Sequence, residues 1–160
     1  MQPAYGSIIW LRNLIFISFL IVIFVYDFRW YLILDRITFS AMAVALLFNL
    51  IVGFSIINLL IGAVIGFGFF ALQFFISKGR WIGGGDLRMG ALMGLMLGAK
   101  LVVVAFFLSY VIGAIVSIFF VVGGKKGFKS QIPFGTFLTI GTVIALLWGN
   151  EIINWYMNLI

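Results

Sequence analysis

Trp81-Ile82-Gly83-Gly84-Gly85-Asp86-Leu87-Arg88 sets three glycines and a carboxylate at the entrance to a long apolar run. An aspartate there is costly, because taking an ionised carboxylate out of water costs several kcal/mol, roughly 2.5–3.5 on insertion scales, unless it is partnered, hydrated or protonated. An acid so placed is a candidate functional residue. The glycines let backbone pass close to a partner or substrate and permit turns closed to other residues. As a bare pattern Gly-x-Gly-Asp is weak. It gains weight from scarcity, since the acids of the chain are Asp27, Asp35, Asp86 and Glu151.

Outward from that stretch the chain is apolar. With 65% hydrophobic and 9% charged residues and a mean hydropathy of +1.30, it departs from soluble domains, in which about a quarter of residues are charged. The composition is that of an all-α integral membrane protein, one polytopic domain over residues 1–160, with the lipid bilayer as its solvent. The net charge of +6 does not point to nucleic acid. Most of the ten Lys and Arg fall between apolar runs, and they do not gather on one polar face, which suits positive-inside topology. The absence of Cys and His removes disulfides, thiolate catalysis, Cys/His zinc sites and a Ser-His-Asp triad. Any chemistry rests on carboxylates, with no metal and no cofactor expected.

Six apolar runs predict a bundle of about six transmembrane helices: 8–26, 37–54, 56–76, 87–98, 101–122, and one from about Pro133 to Trp148 or beyond. The first lacks a small-x-small pattern before Asp27 and exceeds a typical signal h-region, so it is expected to be a retained helix. The second and third form a hairpin with a turn near Ser55 and Asn58. The fourth is short for a span, which predicts an end lying at membrane depth against protein or a water-filled cavity. Gly90, Gly94 and Gly98 repeat on one face of it, the small-xxx-small pattern of close packing in lipid; this face is expected to bring Asp86 against the first helix. Gly62 and Gly66 do the same for the third. Alternation of six helices puts Arg29, Arg36, Lys78, Arg80, Arg88, Lys125, Lys126 and Lys129 on the cytoplasmic side and Arg12 and Lys100 outside. Asp27 and Asp86 then share one depth, near the cytoplasmic face.

Two carboxylates at one depth in a water-limited site can hydrolyse a peptide bond. Like charges close together do not both ionise easily, so the pair titrates as a unit. The ionised member takes a proton from the attacking water and the protonated one donates to the carbonyl oxygen. The same positions also suit plain helix capping or an interface. Asp35, beside Arg36, suits a cap for the second helix, and Glu151 an interfacial helix end.

The constellation resembles the type IV prepilin peptidases, bacterial members of the Gly-x-Gly-Asp intramembrane aspartyl proteases. Asp27, with Asp35-Arg36-Ile37-Thr38 eight residues on, is similar to the family's first aspartate motif, which has a Pro-Asp pair at that spacing. Gly83-Gly84-Gly85-Asp86-Leu87-Arg88 resembles its Gly-x-Gly-Asp-x-Lys motif. Gln131-Ile132-Pro133-Phe134-Gly135 and the helix after it resemble the Pro-Phe-Gly entry to the last helix. Leu34 stands where the family usually has Pro, and Arg88 where it has Lys.

The resemblance implies an aspartic endopeptidase of the bacterial inner membrane that cleaves the basic leader of prepilins or pseudopilins after Gly, at the cytoplasmic face. Asp27 and Asp86 would be the catalytic pair. Gly83 and Gly85 would admit substrate, Pro133, Phe134 and Gly135 would shape the site with Arg88, and Asp35 would be a secondary candidate for leader recognition. Longer relatives carry Cys-x-x-Cys pairs associated with N-methylation; without cysteine, this chain is expected to hydrolyse without methyl transfer or S-adenosylmethionine. Two other functions stay open: a small transporter or channel subunit with acids coupling ions or protons, and a related protease acting on other leaders. The resemblance implies no particular oligomeric state.

Overall fold

The computed structural model describes residues 3–122 and 133–159. They form five helices: α1 (Pro3–Trp30), α2 (Asp35–Ile51), α3 (Ile56–Ser77), α4 (Gly84–Val122) and α5 (Phe134–Met157). Four of them contain stretches long and apolar enough to cross a membrane, namely Gly6–Trp30, Ile56–Ser77, Gly84–Phe119 and Phe134–Met157. The basic stretch Lys125 to Lys129 and the pair Gln131-Ile132 lie outside the described residues.

The fourth and fifth expected runs are both helical, and they meet at Gly98 without a loop, as two arms of the continuous element α4. Gly98 has φ 76° and ψ 176°, the only non-helical residue inside α4. That combination is open essentially to glycine alone, and it turns the chain back on itself. Before Gly98, α4 runs antiparallel to α3, with Gly94 against Gly62 and Gly90 against Gly66. After it, Phe106 returns to Phe70 (5.1 Å between ring centroids) and Tyr110 to Phe69 (5.8 Å). Two arms of one element therefore flank the same stretch of α3.

A helix end buried in the bundle leaves carbonyls without partners, and two asparagines serve the break. Asn49 Nδ2 donates to the carbonyls of Leu95 (2.6 Å) and Met96 (3.1 Å), while Asn58 Oδ1 accepts from the Ala99 N–H (3.2 Å). Asn58, expected in a turn, lies inside the first turn of α3 with its side chain spent on this task. Arg12 Nη1 in turn donates to Asn49 Oδ1 (3.0 Å), and its guanidinium lies over the rings of Phe16 and Phe54. A Cβ at Gly98 would stand 2.6 Å from Asn58 Nδ2. Gly98→Ala is therefore expected to lower stability by about 1–3 kcal/mol, from backbone strain alone, read as a lower melting temperature in detergent.

The small-residue face of α4 meets α3, not α1 as the sequence suggested. A Cβ on Gly62 would lie 2.7 Å from both the Gly94 oxygen and the Gly98 carbonyl carbon, so backbone rests directly on backbone. Helix α1 packs instead on α2 and α5. Its buried Phe16, Leu20 and Ile23 join Met89, Met93 and Met96 of α4 in a continuous core, with methionines filling the irregular space between helices. Much of the bundle's outer surface is Phe, Leu, Ile and Val, among them Phe67, Phe75 and Phe107, as a lipid-facing surface requires.

This topology gathers the end of α1, the starts of α2, α4 and α5 and the end of α3 at one end of the bundle. Arg29, Arg36, Lys78, Arg80 and Arg88 lie there; Arg12 and Lys100 lie at the other end, with the Gly98 break.

Candidate active site

Helix α1 does not stop at Tyr26. Nothing in Asp27-Phe28-Arg29-Trp30 breaks a helix, so it continues to Trp30 and Asp27 falls in its last full turn. The Asp27 carbonyl accepts from the N–H of Tyr31 (2.9 Å), where φ of +54° ends the helix in the left-handed region seldom taken by non-glycine residues. The carboxylate of Asp27 is buried at 5% exposure. It reaches across to α5: Oδ2 accepts from the Thr136 backbone N–H (2.6 Å) and from the Thr136 hydroxyl (3.0 Å). Thr136 is the third residue of α5, where a backbone N–H has no partner within its own helix and the dipole favours negative charge. Asp27 thus caps a helix other than its own.

Asp86 is held more locally. It is the third residue of α4, and its Oδ2 accepts from the backbone N–H of Gly83 (3.1 Å), one half of a capping box. The capping reading of both acids therefore describes real bonds. Each bond engages Oδ2; among the described residues, Oδ1 of either acid accepts no hydrogen bond. One oxygen is pinned and the other is available to water or substrate, which is what positioned acid/base chemistry needs.

The two acids line one cavity of about 560 Å³. One wall is the end of α1 and the link to α2, with Asp27, Tyr31, Leu32, Ile33, Leu34 and Asp35; the other is Gly83, Gly84, Gly85, Asp86 and Arg88. Gly83 and Gly85 thus border the cavity, but the close approach at Gly85 is to Ile33, whose Cβ a Gly85 Cβ would meet at 3.0 Å. Ile33, buried at 9% exposure, also touches Gly135: a Cβ there would lie 2.9 Å from Ile33 Cδ1 and 2.9 Å from Asp27 Cγ and Oδ2. One side chain so keys the two glycine motifs together. Asp35, the first residue of α2, forms an ion pair with Arg88 across the cavity, both side chains partly exposed. Pro133 is buried at the start of α5. Phe134 packs its ring on Tyr110 (4.9 Å) and Phe70 (6.2 Å), behind the cavity rather than in its lining. Among the described residues no three metal-ligating side chains converge closely enough to hold an ion.

Thr136 and Ile33 are the site residues that sequence reasoning missed. Thr136 had a legible signal, a hydroxyl and an orphan N–H directly after Pro133-Phe134-Gly135 at a helix start. Ile33 had none, being one more apolar residue in an apolar stretch.

Residues 14–118 match the family described as the type IV leader peptidase family. Over 152 residues, 91% of this chain and 58% of the relative, the chain is 34% identical to the "Prepilin leader peptidase/N-methyltransferase" of Bacillus subtilis (strain 168). The protein of the same name from Aeromonas hydrophila is 31% identical over 99% of this chain and 55% of its own. That from Aeromonas salmonicida (strain A449) is 30% identical over 100% and 56%. The chain spans little more than half the length of these relatives. No solved structure matches it.

Proposed function

The chain belongs to the type IV leader peptidase family, and on that premise we propose that it is an aspartic endopeptidase in which Asp27 and Asp86 activate one water against a leader-peptide bond. The observation that carries this reading is the shared cavity, which has one acid on each wall and a carboxylate oxygen of each without a hydrogen-bond partner among the described residues. The ionised acid draws a proton from water as it attacks the carbonyl carbon. The protonated acid donates to the carbonyl oxygen, and collapse of the tetrahedral species passes a proton to the leaving amine.

The substrate we propose is a prepilin or pseudopilin, following the printed names of the relatives, cut at the cytoplasmic face of the bacterial inner membrane. Support for the orientation comes from the basic residues around the cavity end of the bundle, five of the seven Lys and Arg among the described residues. Methyl transfer, part of the relatives' name, is not part of this reading.

The test uses purified protein in lipid nanodiscs with a synthetic peptide carrying a basic leader, a Gly and a following apolar segment beginning with Phe. Mass spectrometry should find a single cut after the Gly. Replacing that Gly by Leu should lower kcat/KM by about 10²-fold or more, since a misplaced scissile bond costs that much. Intact peptide after prolonged incubation, together with ion or proton flux dependent on Asp27 or Asp86, would favour a transporter instead.

A further inference from the structure

The acids of the chain divide by what holds them. Asp27 and Asp86 are fastened by capping bonds, and Glu151 lies near the end of α5, at the opposite end of the bundle from the cavity. Asp35 is different. It borders the cavity, and its partner is the side chain of Arg88 on the facing wall. The pair is half exposed, 36% for Arg88 and 54% for Asp35, and such ion pairs contribute about 0–1 kcal/mol. Exchanging one cation for another at Asp35 is therefore nearly free in energy. The surroundings make the exchange useful: Arg29, Arg36, Lys78 and Arg80 crowd the same end of the bundle and would repel a cationic peptide that found no acid there.

We propose that Arg88 occupies the place of a substrate cation, so that Asp35 selects a peptide carrying Lys or Arg before the scissile bond by trading Arg88 for it. The inference rests on the peptidase reading above and adds to it a specificity residue and its internal competitor. On exchange the guanidinium of Arg88 is released from the Asp35 wall. Opposite signs follow for the two partners. Loss of Asp35 removes the acceptor for the substrate cation; loss of Arg88 removes only its competitor.

Two peptides with the same cleavage site and apolar segment, one with Lys and Arg in the leader and one with Gln in their place, measure this as the ratio of their kcat/KM values. Asp35→Asn should lower the ratio, cationic over neutral, by about tenfold, the effect of one lost charge contact, chiefly through KM. Arg88→Gln should raise it by about threefold. Arg36→Gln, next to Asp35 and without an ion pair to it, should move it by less than about twofold. Shifts of the same sign in Asp35→Asn and Arg88→Gln would make the pair a structural clasp and overturn the exchange. So would equal shifts in Arg36→Gln and Arg88→Gln, which would assign the effect to overall charge. If Asp35→Asn does not fold, the sign for Arg88→Gln still decides. Wild-type protein that cuts neither peptide overturns the peptidase reading and the exchange together; cutting with a ratio indifferent to Asp35 and Arg88 overturns the exchange alone.

Discussion

Asp27→Asn and Asp86→Asn should each lower kcat/KM for a leader peptide by about 10³-fold or more, because two groups acting on one water fail together when either fails. Neither change should unfold the protein. An asparagine at 27 keeps an oxygen to accept from the Thr136 N–H, and one at 86 keeps an acceptor for the Gly83 N–H, so both caps survive in neutral form. What is lost is the ability to take up or release a proton. Stability should fall by no more than about 1 kcal/mol, the scale of a charge at a helix N-terminus. Hydrolysis and thermal unfolding measured on the same preparations check both halves. A mutant that keeps activity removes its residue from the catalytic pair; one that unfolds shows its carboxylate to be chiefly a cap.

Gly135→Val is expected to cost about 10²-fold in kcat/KM while leaving the bundle assembled. The position is helical with ordinary φ, so the cost is contact and not strain. The first added carbon would stand 2.9 Å from the Asp27 carboxylate and 2.9 Å from Ile33 Cδ1. Ile33 can rotate a terminal methyl, whereas Asp27 is fixed by two bonds to Thr136. The further methyls of valine must push the carboxylate off its cap or tilt the start of α5, and a displacement near 1 Å at a catalytic group costs about that factor. Gly135→Ala should fall between valine and wild type. Gly68→Ala on α3, where an added carbon meets nothing within 4 Å, is the control and should leave activity unchanged. Steady-state kinetics on the four proteins give the order; valine at wild-type activity would show that Asp27 does not depend on this contact.

The sequence made the chemistry easier to find than the geometry. Four acids in an apolar chain name their own candidates, because a carboxylate is costly in an apolar setting, and Asp27 and Asp86 are both at the cavity. The start of α4 was less exact, since the apolar run was expected from Leu87 and the helix begins at Gly84, inside the glycines. Boundaries were less legible. Asp27 looked like the first residue after a helix because polarity begins there, yet Phe28-Arg29-Trp30 are compatible with helix and α1 runs through them. The runs 87–98 and 101–122 were expected as separate helices; that one residue, Gly98, reverses the chain between them depends on Asn49 and Asn58 serving the freed backbone, a tertiary fact. The glycine face of α4 was recognisable as a packing face, but a pattern of small residues does not say which helix lies against it, and α3 rather than α1 does. Cross-helix partners were the least accessible: the Thr136 cap on Asp27 joins positions 109 apart, and no local pattern couples them.

The central claim is that acids from the end of α1 and the start of α4 serve one reacting centre. A leader peptide whose scissile amide is replaced by a hydroxyl-bearing tetrahedral carbon, bound to the protein and solved by cryo-electron microscopy, tests it most directly. The account predicts carboxylate oxygens of both Asp27 and Asp86 within about 2.6–3.2 Å of that hydroxyl. A bound hydroxyl touched by one of them, with the other still turned to its helix cap and out of reach, would contradict it.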